Sequence, residues 1–163
     1  MTKFFNANRN LGKLHILRRI CNEKKTRRLP FYKSQYEFIE YITNNPGCTQ
    51  ASLAEKFLIT PASVALSIKR MEKSGLIKRE INNENKRSNK LFCTKKAIDA
   101  ANECRSIMDE IDTLMFDGFS DKELLEFEEY TDRILNNMSK HYFGGKILDR
   151  HQVFAMIREM EAE

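Results

Sequence analysis

The stretch TPASVALSIKRMEKSGLIKRE, residues 60–80, carries signals for both ends of one helix. Thr60 stands where an N-cap is expected, and Pro61 follows as the first helical residue, where its missing N–H leaves no hydrogen bond unmade. Gly75 occupies the position after a helix at which a left-handed backbone is common. The stretch therefore predicts a helix over residues 61–74, and the LIKREI that follows is typical of a strand.

A shorter helix precedes this one, and a second strand-like run follows it. Thr49 is predicted to be the N-cap of QASLAEKF, in which Leu53, Ala54 and Phe57 form a buried stripe. NKLFCT is separated from LIKREI by NNENKRS, which is rich in turn-forming residues and predicts a β-hairpin with a basic tip. Helix, turn, helix and hairpin in this order indicate a winged helix-turn-helix, whose second helix enters the DNA major groove and whose hairpin is the wing.

The periodicity of the second helix predicts which residues contact DNA. If Val64, Ile68 and Met71 face the core, the opposite face is turned outward. Small residues near the helix N-terminus allow close approach to base edges, cations further along reach phosphate or guanine, and an outward leucine fits a thymine methyl. The predicted contacts on this helix are Ala62, Ser63, Leu66, Lys69, Arg70 and Lys73, and those on the wing are Lys86, Arg87 and Lys90.

Apolar spacing predicts five further helices around this unit. Their extents are about residues 5–26, 33–44, 95–116, 120–138 and the segment after Gly145. The fold class is thus mainly α with a small β-hairpin wing. The predicted division is a helical dimerisation region of residues 1–30 and 95–138, a winged helix-turn-helix DNA-binding domain of residues 31–94, and a C-terminal helical extension of residues 139–163.

Composition and motifs exclude several classes of protein. The chain is 41% hydrophobic and 31% charged, as is usual for a soluble protein. We expect it to be cytoplasmic, without a membrane partner, because no stretch has the roughly 18 consecutive apolar residues of a membrane span and the N-terminus has no signal core. The cysteines form no CxxC pair and the histidines are isolated, so we expect no metal site and no cofactor. No catalytic motif is present, and we expect no enzyme activity.

The charges are segregated along the chain. Residues 1–30 carry nine Lys/Arg and one acid, net +8, and residues 61–96 carry ten and three, net +7. Residues 97–139 carry three Lys/Arg and twelve acids, net −9. This pattern favours a basic footprint for a polyanion beside a region kept away from it, although solvated helix faces would give the same totals.

These segments resemble the MarR family of winged-helix transcriptional regulators. The resemblance runs from FYKSQ at residue 31 through NKLFCTKKA, more loosely over residues 10–138, and its most specific parts are GCTQASLAEKF, PASVALSIKRMEKSGLIKR and Arg87, seven residues before Thr94. It implies a homodimer with one DNA-binding lobe per half-site, a recognition helix at residues 61–74 and a minor-groove role for Arg87. The sequence departs from the family pattern at Asn85, where an aspartate is usual, and at Ala97, where glycine is frequent.

Helical seams predict where two copies would meet. A narrow apolar seam on the long helix, the apolar face of the helix after it, and the first helix fit a dimer interface, with intramolecular packing as the alternative. The predicted interface residues are Leu11, Leu14, Met108, Ile111, Met115, Leu124, Phe127 and Ile134. The terminal helix is expected to add to dimer stability, and a frayed tail is its alternative.

Family resemblance also implies a small phenolic or lipophilic effector bound between the dimerisation and DNA-binding parts. His15, Cys21, Tyr32, Tyr36 and Phe38 are the candidates for lining such a pocket, although aromatic residues at helical spacing are more often part of a core. The cations around Cys21 would favour its thiolate, which makes a redox sensor a further hypothesis.

Together these observations predict a dimeric, sequence-specific regulator of transcription, acting as a repressor on a palindromic operator and responsive to a ligand. Its partners would be double-stranded DNA, a second copy of itself and a small-molecule effector. The alternative is a winged-helix interaction module that binds a protein partner, or nucleic acid without sequence preference.

Overall fold

A computed structural model describes residues 3–31, 33–81 and 89–162. Within these residues the chain forms seven helices and one two-stranded antiparallel sheet, which confirms the predicted mainly α fold with a hairpin. The elements are α1 (Phe5–Thr26), α2 (Lys33–Asn44), α3 (Gln50–Phe57), α4 (Pro61–Lys73), β1 (Ile77–Ile81), β2 (Asn89–Cys93), α5 (Lys95–Met115), α6 (Asp121–Tyr142) and α7 (Arg150–Ala162).

The predicted caps set the ends of the helices. The Thr49 and Thr60 hydroxyls accept the backbone N–H groups of Ser52 and Ser63, each at 3.2 Å, and so begin α3 and α4. These bonds satisfy amides that have no partner within the helix. After α4, Gly75 has a φ of +70°, a conformation that side chains with a Cβ rarely adopt.

One hydrophobic core joins α2, α3, α4, the hairpin and the first half of α5. Its largest fully buried side chains are Ile39, Ile42, Leu53, Val64, Ile68, Met71, Leu76 and Leu91. The strands pair with Ile77 opposite Cys93, and the backbone of Cys48 bonds to Leu91, so the segment before α3 is tied to the edge of the hairpin. The helix-turn-helix and its wing therefore share one packed interior.

Helix α1 packs on α5 through charged and polar residues. The Arg18 guanidinium bonds Asp112 at 2.7 Å and the Lys25 ammonium bonds Glu110 at 2.5 Å, and just after the helix Arg28 bonds Glu103 at 2.6 Å. The one residue of α1 that is buried is Asn22. The apolar stripe read from the sequence is instead exposed, with Leu11, Leu14, Leu17 and Ile20 between 39% and 50% accessible.

The end of the chain differs from the sequence-based boundaries. Helix α6 continues to Tyr142 instead of ending at Met138, because the stop is at Gly144 and Gly145, both with positive φ. The Ser139 hydroxyl donates to the carbonyl of Lys146 across this turn. Helix α7 begins only at Arg150, after a short segment without regular structure.

Over the described ranges, no single helix is long and apolar enough to cross a membrane. Helices α3 and α4 meet that length and composition criterion only as a pair, and the pair is bent by 119°.

Candidate nucleic-acid interface

Helix α4 presents the six residues that the sequence singled out on one exposed face. Val64, Ile68 and Met71 are fully buried and fix the opposite face against the core. Ala62, Ser63, Leu66, Lys69, Arg70 and Lys73 are all exposed. Leu66 is 50% accessible, although an apolar side chain of this size is ordinarily turned inward. The face is therefore small and polar at its N-terminal end, apolar in the middle and cationic towards its C-terminal end.

The N-terminal end of α4 is pre-ordered by its own cap. Besides the backbone bond, the hydroxyls of Thr60 and Ser63 lie 2.8 Å apart and share a hydrogen bond. Pro61 fixes φ in the first turn. The first turn, where a groove-binding helix meets base edges, is thus held before any ligand arrives.

The acidic residue of α4 is paired with a neighbouring strand, whereas its cations are not paired in the described residues. Glu72, the acidic residue of the helix, pairs with Arg79 of β1 at 2.9 Å. In the part of the chain that the structure describes, no ion pair involves Lys69, Arg70 or Lys73. Three cations consequently remain available to a polyanion. The sequence analysis did not identify Arg79 as the partner of Glu72. The signal available was that a strand following α4 runs back beside the end of that helix.

The C-terminal end of α4 is held by the start of α5. The Lys96 ammonium donates a hydrogen bond to the carbonyl of Ser74 at 2.9 Å, and the Thr94 hydroxyl donates one to the carbonyl of Gly75 at 2.8 Å. Cations at a helix C-terminus also complement its dipole. Helix α4 is therefore fixed at both ends and along its buried face.

The wing is described only at its base. Lys90 is half-buried and lies opposite Glu80 in the strand register. Ile81, the last described residue before the tip, is 73% accessible. Lys86, Arg87 and Asn85 lie outside the described residues.

The four candidate pocket residues that the structure describes are not gathered around one cavity. Phe38 packs in the core with its ring 4.9 Å from that of Phe57, and Tyr36 is buried with its hydroxyl 2.9 Å from Glu40. Burial raises the pKa of Tyr36. His15 and Cys21 are exposed on α1, and Tyr32 lies outside the described residues.

Two spaces lie between α1 and α5. One is a cavity of about 10 Å³ lined by Asn22, Thr26, Phe31, Cys104 and Met108, too small for an aromatic ligand. The other is an open cleft of about 540 Å³ at the C-terminal end of α1, lined by Lys24, Lys25, Arg27, Arg28, Ile107 and Glu110. The cleft is cationic, whereas the sequence pointed to an aromatic pocket.

The candidate dimerisation residues fall into three groups by exposure. Leu11, Leu14 and Ile134 are 41%, 39% and 47% accessible. Met108, Met115, Leu124 and Phe127 are half-buried. Ile111 is only 5% accessible and packs within its own chain, because it faces inward on α5, so it contributes little to any outer surface.

Comparisons with known proteins agree with this fold. Residues 31–88 match the family model described as the MarR family. The uncharacterized HTH-type transcriptional regulator YybA of Bacillus subtilis (strain 168) is 26% identical over 114 residues, which cover 70% of this chain and 76% of that protein.

Two solved structures have the same architecture. A putative MarR family transcriptional regulator from Clostridium acetobutylicum is 20% identical with a TM-score of 0.70, covering 82% of this chain and 98% of its own. A mutant of S. aureus MepR bound to an oligodeoxyribonucleotide is 18% identical with a TM-score of 0.62, covering 85% and 99%. Residues 31–88 of this chain thus match the MarR family model, and the described part of the chain has the winged-helix fold of these solved structures.

Proposed function

We propose that this protein is a cytoplasmic repressor that binds a palindromic operator as a homodimer through α4 and the wing. The observation that carries the proposal is the exposed face of α4, which lies over a fully buried stripe and has three cations without an ion pair in the described residues. A MepR mutant of similar fold is bound to an oligodeoxyribonucleotide. Occupation of a promoter by such a dimer would exclude polymerase.

The residues of α4 take different roles in this proposal. Ala62 and Ser63 allow the helix N-terminus to approach base edges, and Leu66 contacts a thymine methyl. Lys69 and Arg70 reach guanine acceptors. Lys73, at the end of the helix, is placed for a phosphate.

The wing supplies a second set of contacts. Arg87 enters the minor groove, as the family resemblance implies, while Lys86 and Lys90 contact phosphates. An uncharged Asn85 would orient Arg87 less firmly than an aspartate, since a charge-assisted bond is stronger than a neutral one. In this proposal the minor-groove contact of the wing is therefore made by Arg87 without a charged partner.

A homodimer would cover the apolar faces that a single chain leaves exposed. On α6, Tyr130, Ile134 and Met138 recur at helical spacing and are each close to 50% accessible. The apolar residues of α1 are exposed in the same way, since α1 meets α5 through Arg18 and Lys25. A two-fold axis would pair these faces with themselves, so residues 1–30 and 95–138 would form the dimerisation region.

An effector would act at the boundary between that region and the winged-helix domain. The cationic cleft beside Ile107, of about 540 Å³, is large enough for an aromatic acid, whereas Tyr36 and Phe38 are buried in the core and His15 and Cys21 are exposed on α1. Benzoate titrated into the protein–DNA complex should release DNA. Lys24→Ala should weaken that release without changing DNA affinity in the absence of benzoate.

The first experiment is in vitro selection on a random duplex pool at physiological salt. We expect an enriched palindrome with the unaltered chain and its loss in a Lys69→Ala, Arg87→Ala double variant. A Lys122→Ala, Lys140→Ala variant removes the same charge from α6 and should keep the motif. Recovery of no motif from the unaltered chain would contradict the proposal and favour the interaction module.

Salt dependence separates base contacts from phosphate contacts. Lys69→Ala should relax sequence preference, because it removes a base contact. Lys86→Ala should weaken binding to all duplexes alike and reduce the slope of log affinity against log salt by about 0.9. Equal effects of the two variants on all sequences would indicate binding without base readout.

A further inference from the structure

The C-terminal helix α7 packs on the helix-turn-helix of its own chain. Arg150 bonds Glu37 of α2 at 2.9 Å, and the ring of His151 meets that of Phe57 edge-on at 5.0 Å. Two turns further along α7, the guanidinium of Arg158 donates to the backbone carbonyl of Leu58 at 2.8 Å. The contacts of His151 and Arg158 lie at the C-terminal end of α3, and that of Arg150 lies on the neighbouring α2.

Leu58 is an unusual residue at this point of the chain. It ends α3 with a φ of +51°, and it is the one non-glycine residue with positive φ in the described part of the chain. A side chain with a Cβ resists this conformation, which at helix ends is usually adopted by glycine. The Leu58 amide bonds back to Ala54 and Glu55, so the conformation is held from the α3 side.

The turn at Leu58 determines how α4 is presented. Leu58 is separated from Thr60, the N-cap of α4, by Ile59 alone. Any change in the backbone of Leu58 would rotate the first turn of α4, where the proposed base contacts begin. The carbonyl of Leu58 is therefore a position at which a distant element can fix the recognition helix.

We propose that Arg158 is a positioning residue for DNA binding, which holds the left-handed turn at Leu58 and thereby the direction of α4. The Arg150 and His151 contacts dock α7 so that Arg158 reaches the turn. The inference rests on the proposed function, because it concerns the readiness of α4 to enter a groove. It also gives the C-terminal extension a role within its own subunit, in addition to any role at a dimer interface.

The test compares Arg158→Ala with Lys146→Ala in the full chain. Both remove one cation from the C-terminal segment, but Lys146 has no side-chain contact with the turn in the described residues. Hydrogen exchange of the Leu58 and Ile59 amides should accelerate at least threefold in Arg158→Ala, with the core amide of Leu91 unchanged. Affinity for the selected operator should fall threefold to tenfold, and Lys146→Ala should change neither quantity.

Salt dependence distinguishes positioning from a direct phosphate contact. If Arg158 only positions the turn, affinity falls while the slope of log affinity against log salt is unchanged. A slope shallower by about 0.9 would mean that Arg158 itself contacts phosphate and would overturn the inference. Arg158→Lys should restore part of the lost affinity, since an ammonium can also donate to the carbonyl.

A double-mutant cycle with Leu58→Gly gives a second, independent readout. Glycine adopts the left-handed conformation without strain, so Arg158→Ala should cost less affinity in that background. Equal losses in both backgrounds, or unchanged exchange at Leu58, would overturn the inference while operator binding persists. Failure of the unaltered chain to bind any duplex would instead remove the proposed function, and this inference with it.

Discussion

The winged-helix domain and the outer helices bury their large apolar side chains to very different extents. Between α2 and β2, the large apolar side chains are buried except at a few positions, chiefly Leu58, Leu66 and Ile81. On α1, α6 and α7, most of them remain exposed. The examples on these three helices are Leu11, Leu17, Ile134, Leu135, Met138, Phe154 and Ile157.

This contrast indicates which surfaces are complete in one chain. The winged-helix core closes on itself, so its exposed Leu66 stands out against a polar and cationic face and points to a ligand. The outer helices expose many large apolar side chains, and exposed apolar patches mark association sites. Charge follows this division only in part, since residues 61–96 are net +7 and residues 97–139 are net −9, whereas residues 1–30, which contain α1, are net +8. We infer that the first region meets DNA and the second meets another copy.

The largest expected effect comes from placing a charge on the exposed face of α6. Ile134→Glu should prevent dimer formation, and the loss of two-site binding should lower operator affinity roughly 10²- to 10⁴-fold. Sedimentation equilibrium and a binding isotherm measure the two effects. Asn136→Glu adds the same charge on the opposite side of α6 and should leave both unchanged. A dimeric Ile134→Glu variant would show that α6 lies outside the interface.

The next effect contrasts two apolar residues of one helix. Ile68 is fully buried, so Ile68→Ala should lower the free energy of unfolding by about 2 to 5 kcal/mol through lost burial and an unfilled cavity. Leu66→Ala should change it by no more than about 0.5 kcal/mol, because Leu66 is half exposed. Urea titration measures both. Operator affinity of the folded protein should fall more in Leu66→Ala than in Ile68→Ala. A large stability loss in Leu66→Ala would instead place Leu66 in the core.

Local signals determined most of the winged helix. The caps at Thr49 and Thr60, the glycine at residue 75 and the spacing of Val64, Ile68 and Met71 all act within one or two turns of the chain. Short-range chemistry of this kind can be read from the sequence. The outward face of α4 followed from the same spacing, and for this reason all six of its predicted contacts are exposed.

Contacts distant in sequence account for what the sequence left undetermined. The apolar spacing of α1 is visible in the sequence, but its outward orientation depends on the pairing of Arg18 and Lys25 with acids of α5. Phe38 looked like a pocket residue until the packing of Phe57 placed it in the core. The docking of α7 depends on partners more than 90 residues away, such as Leu58 for Arg158, and no periodicity predicts that pairing.

A smaller effect tests how much the N-cap of α4 contributes to the stability of the fold. Thr60→Ala removes the hydroxyl that accepts the Ser63 amide, and it should lower the free energy of unfolding by about 1 kcal/mol. Thr60→Ser keeps the oxygen and should retain most of the stability. Thermal or urea unfolding compares the three proteins. If alanine and serine destabilise equally, the methyl group and not the cap is responsible.

The smallest effect concerns the capping box of α6, a helix outside the hydrophobic core of the winged-helix domain. The Ser120 amide, at 2.9 Å, and the Ser120 hydroxyl, at 2.7 Å, donate to the Glu123 carboxylate and hold its pKa below the ordinary value of 4.5. A carboxyl whose pKa is lower in the folded state binds fewer protons there than when unfolded. Its stabilisation is therefore complete above the ordinary pKa and disappears as pH falls through the lower, folded value.

Glu123→Gln keeps an acceptor in the capping box but does not titrate. The unaltered protein should be the more stable of the two at pH 7, and their difference should shrink as the pH is lowered below 4.5, as urea unfolding at several pH values would measure. Glu129→Gln removes one charge from the same helix without touching the cap and controls for net charge. A difference that persists in acid would show that the amide geometry, and not ionisation of Glu123, is responsible. Helix α6 carries the apolar face proposed for dimerisation. If the difference persists in acid, the cap stabilises this helix through hydrogen-bond geometry alone, without a contribution from the charge of Glu123.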